Sequence, residues 1–136
     1  MTYKLGTRSL QSLSGVHPDM VAVVKRAIEI TEQDFTVIEG IRNVNRQRVL
    51  FKAGKSTTMN SRHITGHAAD LSPYPFAGDV DKDGTLNIHD WDQYYPIEKA
   101  MKAAAEELEI DIVWGGDWKS FPDGPHFELN RKSYPK

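Results

Sequence analysis

Three residues of this sequence, His63, Asp70 and His126, are of the types that hold a catalytic metal. Two imidazoles and one carboxylate fill three positions around a zinc ion and leave the fourth for water, as hydrolytic zinc sites require. The chain has no cysteine, so disulfides are excluded and any metal must be held by imidazole and oxygen donors. His63 stands in the run Ser61-Arg62-His63-Ile64-Thr65-Gly66-His67-Ala68-Ala69-Asp70, and His126 in Pro125-His126-Phe127-Glu128. Spacing by itself does not exclude a plainer reading, in which both histidines are unligated and Asp70 caps a turn. His67 competes for a ligand place because it follows His63 by one helical turn, but Gly66 and the strand pattern after it disfavour a helix there. His17 and His89 read as solvated or capping residues.

A pattern for a harder cation lies between the two histidine segments. Asp79, Asp81 and Asp83 stand at alternate positions, Gly84 follows where a tight turn is needed, and Thr85, Asn87 and Asp90 complete the spacing of an EF-hand calcium loop. Thr85 would offer its backbone carbonyl and Asn87 would act directly or through water. Asp90 stands where glutamate is usual, and its shorter side chain lowers the expected affinity and lets magnesium compete. A solvated acidic turn without an ion fits the same residues.

The motif SxHxxGxAxD at Ser61, His63, Gly66, Ala68 and Asp70, followed by DxPHFE at Asp123, Pro125, His126, Phe127 and Glu128, resembles the M15 family of zinc peptidases. The order of the motifs, and the WGGDWKSF segment before the second, are most similar to the bacteriophage L-alanyl-D-glutamate peptidases that act as endolysins. The resemblance runs from Gly40-Ile41-Arg42 to Leu129 and implies a Hedgehog/DD-peptidase-like fold. It implies that His63, Asp70 and His126 ligate zinc, that Asp123 is the general base, and that Arg42 binds substrate and steadies the developing oxyanion. Many relatives carry glutamate where this chain has Asp123. Ser61 matches a serine at the substrate-binding edge.

Elementary chemistry agrees with those roles. A zinc site with two neutral imidazoles and one carboxylate keeps a net positive charge and acidifies bound water. A carboxylate beside it can carry a proton to the leaving amine, and a guanidinium is a permanent forked cation for a carboxylate or oxyanion. Glu128 shares a strand face with His126 and can orient that ligand or stand in as base. Trp114 and Trp118 wall the cleft or belong to the core.

These residues need elements to carry them. Pro18 precedes a helical stripe of Met20, Val21, Val24, Ala27 and Ile28. Phe35 to Ile38 reads as a strand ending at Gly40 and delivering Arg42, and a helix over Asn45 to Ala53 is stopped by Gly54. HAADL reads as a strand with Ala68 and Asp70 on one side and Ala69 and Leu71 on the other, ended by Pro73 and Pro75. Pro96 opens a helix whose stripe is Ile97, Ala100, Met101, Ala104 and Leu108, with Glu98 and Lys102 paired on another face. Ile112 to Trp114 and His126 to Leu129 complete the strands. The expected architecture is α+β, with a small, largely antiparallel sheet packed with about three helices in one catalytic domain over residues 1–136, the calcium loop being inserted at 79–90.

At 136 residues the chain fits one domain, and 39% hydrophobic with 26% charged residues is ordinary for a globular protein and suggests neither disorder nor a fibrous repeat. A net charge of −2 offers no basic surface for nucleic acid. No apolar run reaches the roughly 18 residues of a membrane span, and the first residues lack a secretory apolar stretch. The expectation is a monomeric endolysin, made in the host cytoplasm and reaching peptidoglycan once the membrane is permeabilised. It would cut the L-alanyl-D-glutamate bond of stem peptides, with calcium as a modulator. The rival readings are a D-Ala-D-Ala carboxypeptidase or dipeptidase of the same family, and a non-enzymatic calcium-binding interaction module similar to a dockerin, though dockerins pair two such loops.

Overall fold

Pro18 and Pro96 both lie in the first turn of a helix, where the missing N–H leaves no hydrogen bond unmade. The computed structural model describes residues 3–54, 62–74, 90–119 and 123–135. Within them the order is α1 (Thr7–Ser12), α2 (Pro18–Ile30), β1 (Phe35–Glu39), α3 (Val44–Lys52), β2 (Ala68–Pro73), α4 (Tyr95–Leu108), β3 (Ile112–Trp114) and β4 (His126–Leu129). Short 3-10 turns occupy Asp90–Gln93 and Gly115–Asp117. The strands form one antiparallel sheet in the order β1-β2-β4-β3, so the α+β expectation holds.

The sheet is two-faced because side chains alternate along each strand. Phe35, Val37, Ala69, Leu71, Phe127 and Leu129 join Met20, Val23, Val24 and Ala27 of α2 and Ile97, Met101 and Ala104 of α4 in one apolar core. Each fully buried Phe, Leu or Met contributes roughly 1.5–3 kcal/mol through the water its surface no longer orders. The opposite face of β2 and β4 carries Asp70, His126 and Glu128, so the apolar alternation that builds the core also aims the polar residues together.

The helices depart from expectation in three places. Val23 rather than Val21 lies fully in the core, Val21 packing only at its margin. Leu108 is 40% exposed and Ala105 takes the buried place, because α4 ends there in a left-handed Glu109. The described residues contain four α-helices rather than three, the extra one being α1. That helix has no apolar stripe for periodicity to reveal. It is held instead by Ser9, whose buried hydroxyl accepts the N–H of Val37 at 3.0 Å and so covers part of the free edge of β1. His17 is the capping residue expected, its Nδ1 accepting the Asp19 N–H at 3.1 Å.

Among the described glycines, Gly40 makes the closest approach to another stretch of backbone. A Cβ there would sit 2.0 Å from the Ser12 carbonyl oxygen and 2.7 Å from Val16 Cγ2. Gly40→Ala is therefore expected to cost about 1–3 kcal/mol as α1 and β1 are forced apart, measured as a lower denaturation midpoint. Activity should fall with it, since the Gly40 carbonyl also touches the candidate site.

Candidate active site

Antiparallel register sets Asp70 of β2 directly opposite His126 of β4, and the turn before β2 returns His63 beside them. Asp70 Oδ1 lies 3.0 Å from His63 Nε2 and 3.2 Å from His126 Nδ1, and one donor atom from each residue falls within 4.8 Å of the others. The remaining ring nitrogens are engaged. His63 Nδ1 is 2.7 Å from the Gly40 carbonyl, to which it must donate, and His126 Nε2 is 2.8 Å from Glu128 Oε1. Both contacts fix the tautomers so that His63 Nε2 and His126 Nδ1 can turn their lone pairs toward a common centre, the usual support of metal-binding histidines. This donor set fits a divalent ion such as zinc. All three side chains are largely withdrawn from solvent.

Charge in the cluster follows from that geometry. Burial works against the Asp70 carboxylate, but hydrogen bonds from His126 and His63 outweigh it and hold the group far below the usual carboxylate range. Burial likewise opposes charge on His126, yet the hydrogen bonds to Asp70 and Glu128 push it up to about 9. Because the folded value exceeds that of an ordinary imidazole, the protonated contact stabilises the metal-free fold fully below the ordinary imidazole range and is lost as pH climbs through 9. A metal must displace that proton. Binding at neutral pH is expected to release it, with affinity rising about tenfold per pH unit until His126 is neutral. Calorimetric titration in buffers of different ionisation heat measures the released proton.

Arg42 stands just past β1, its backbone N–H bound to the His63 carbonyl at 2.9 Å. Its guanidinium is held by residues the motif reading did not single out. Nε and Nη2 donate to the two oxygens of Glu39 at 2.7 and 2.8 Å, Nη1 donates to Gln47 Oε1 at 2.7 Å, and Nη2 comes within 3.9 Å of Asp70 Oδ2. Burial raises the Glu39 carboxyl but the Arg42 hydrogen bonds prevail and bring it below its ordinary value. Glu39 faces the site because the β1–β2 register shifts between Val37 and Glu39. Such an irregularity turns a side chain out of strict alternation. No spacing rule for a strand end marks a Glu, an Arg and a Gln at these intervals as partners.

Asp123 is brought in by a turn packed on the 3-10 segment. Its N–H donates to the Gly115 carbonyl at 2.9 Å, and a Cβ on Gly115 would meet the Asp123 carbonyl oxygen at 2.5 Å and His126 Cβ at 2.9 Å, so only glycine admits this approach. Burial and the charge of Asp70 raise the Asp123 carboxyl, while His126, His63 and Arg42 pull the other way. Tyr94, beneath Gly124, is pushed up to about 12 by burial and by Asp123 and Asp70, so it stays a neutral hydroxyl.

Glu128 lies where the strand pattern put it, bound to His126, and a further cation missed in the sequence sits behind it. Arg62 is 1% exposed and donates to the Leu129 and Tyr134 carbonyls at 3.3 and 2.7 Å, with Nε 4.0 Å from Glu128 Oε2. Trp114 belongs to the core, its indole N–H donating to the Gly124 carbonyl at 2.7 Å. Trp118 is 37% exposed with its ring 5.0 Å from that of His126, and so lines the site. His67 turns toward His17 and Thr65 and stands outside the metal-compatible cluster. Ser61, Asp79, Asp81, Asp83, Thr85, Asn87 and His89 lie outside the described residues, as does the side chain of Asp90.

The fold matches that of a known peptidase. It superposes on the crystal structure of the Serratia marcescens L-Ala D-Glu endopeptidase ChiX with a TM-score of 0.83 and 41% sequence identity, over 98% of this chain and 94% of that one. The sequence profile described as phage L-alanyl-D-glutamate peptidase matches residues 1–134, and the chain belongs to that family. It is 33% identical to the L-alanyl-D-glutamate peptidase of Escherichia phage T5, over 98% of this chain and 94% of the phage protein. A 31% identity to the peptidoglycan L-alanyl-D-glutamate endopeptidase CwlK of Bacillus subtilis spans 71% of this chain and 60% of that protein.

Proposed function

We propose that this chain is a zinc-dependent L-alanyl-D-glutamate endopeptidase that hydrolyses peptidoglycan stem peptides, acting as a phage-type endolysin. The observation that carries the reading is the convergence of His63, Asp70 and His126, with the outer nitrogens of both imidazoles already engaged. The names of its relatives support the bond and the substrate. Zinc held by these three residues would polarise the scissile carbonyl and make water acidic enough to attack near neutral pH. The Asp123 carboxylate takes a proton from the attacking water and delivers it to the leaving amine nitrogen of D-glutamate. Partial burial suits that task, since it moves the acid closer to neutrality. Arg42 binds the substrate carboxylate or the oxyanion, Ser61 lines the substrate edge, and Glu128 keeps His126 in its metal-binding tautomer. Trp118 shields one side of the reaction from water.

In this reading residues 1–136 form one catalytic domain working as a monomer, and residues 79–90 form an EF-hand-like insertion in which Asp79, Asp81, Asp83, Thr85, Asn87 and Asp90 take calcium and tune activity. Among the described residues no helix is long and apolar enough to cross a membrane. Synthesis in the host cytoplasm followed by access through a permeabilised membrane is the matching route to the wall.

The test is digestion of purified peptidoglycan with mass spectrometry of the new ends. Fragments with D-glutamyl amino termini are expected. Release of D-alanine without them would overturn the endopeptidase reading in favour of the D-Ala-D-Ala alternative, and no cleavage at all would favour a binding module.

A further inference from the structure

The carboxylate of Glu39 occupies Arg42 along one whole edge of the guanidinium, and Gln47 takes a hydrogen on the third nitrogen. A guanidinium has five N–H groups. Three are engaged here, which leaves one hydrogen on each terminal nitrogen, and Nη2 is the nitrogen nearest Asp70. Arg42 is only 9% exposed, so its planar group cannot swing to meet a ligand as a surface arginine does. The local fold serves this arrangement. The register shift in β1 turns Glu39 onto the site face, and Gln47 is the buried side chain among the described residues of α3, whose Val49 and Phe51 face solvent.

A D-glutamyl residue at the cleaved bond supplies the matching chemistry. One of its two carboxyl groups continues the stem peptide, and the other, beside the leaving nitrogen, is either a free carboxylate or an amide. Two N–H groups fixed in one plane suit a carboxylate, which accepts both, and not a primary amide, which brings its own donors. We infer that Glu39 is a positioning residue: with Gln47 it locks Arg42 in the one orientation that reads the free carboxylate of the D-glutamyl substrate. The inference rests on the endopeptidase reading and adds a selectivity that Arg42 alone, free to rotate, would lack.

The test uses the full-length zinc-loaded protein and two synthetic stem tripeptides that differ only in whether that D-glutamyl carboxyl is free or amidated. Wild type is expected to prefer the free acid. Glu39→Gln should lower kcat/KM on the free acid on the order of tenfold, mainly through KM. It should change the amide peptide little and leave zinc content near wild type, with a lower thermal midpoint because the buried guanidinium loses its carboxylate, while Glu39→Asp, which keeps the charge, restores part of the preference. Should Glu39→Gln fail to fold, Gln47→Ala carries the same expectation. Equal losses on both peptides, a loss that tracks zinc content, or no loss would overturn the inference while leaving the endopeptidase reading intact. Cleavage of neither peptide by wild type would overturn that reading and this inference with it.

Discussion

His126→Ala is expected to abolish stoichiometric zinc binding and to lower kcat/KM by about a thousandfold or more, the scale of losing several kcal/mol of metal-supplied transition-state stabilisation. The residue does more than donate one nitrogen. Its ring bridges Asp70 and Glu128, both largely buried, and its removal leaves Asp70 with His63 as its remaining imidazole partner in the cluster. Two ligands rarely retain zinc against water. The variant should also lose the metal-free protein's stabilisation below pH 9 that the protonated imidazole supplies, so its melting temperature falls even in chelator. His67→Ala is the matched control, because that ring sits against His17 and, among the described residues, belongs to no metal-compatible cluster. It should keep zinc and turnover. Elemental analysis of dialysed protein beside the peptidoglycan assay checks both variants.

Asp123→Asn separates metal from proton transfer. The amide is nearly isosteric, and the contacts that place the residue, its N–H on Gly115 and its carbonyl taking the His126 N–H at 3.3 Å, are made by backbone and survive the change. Zinc content should therefore match wild type. What vanishes is a carboxylate that accepts and returns a proton, and kcat is expected to drop by about 10²–10⁴-fold with little change in KM. The acidic limb of the wild-type pH profile should report Asp123, displaced upward from an ordinary aspartate by burial and by the neighbouring Asp70 charge. An asparagine variant that turned over at the wild-type rate would remove Asp123 from the mechanism and direct attention to Glu128.

The strands and the two proline-started helices were legible because each rests on a local rule, whereas the meeting of His63, Asp70 and His126 was implied by the family resemblance, spacing alone leaving both histidines open as unligated residues. Alternation in HAADL put Asp70 opposite the core side, and the same alternation in HFEL paired His126 with Glu128. What escaped sequence reading depends on contacts between distant segments. Helix α1 is short and polar, and its tie to β1 runs through Ser9, which no periodicity distinguishes from a surface serine. Glu39 reaches the site through a register shift that strict alternation does not anticipate. Arg62, inside the first motif, carries no spacing signal of its own, yet it is buried behind Glu128 against the carbonyls of Leu129 and Tyr134. Leu108 was placed in the core by helical spacing alone, but the helix ends before its turn is covered.

Anomalous diffraction at the zinc absorption edge, from crystals of protein purified without added chelator, addresses the shared premise of these expectations directly. One strong peak is expected, bounded by His63 Nε2, the Asp70 carboxylate and His126 Nδ1, with Asp123 facing its open side. A peak elsewhere, or none in protein that still cleaves stem peptides, would contradict it.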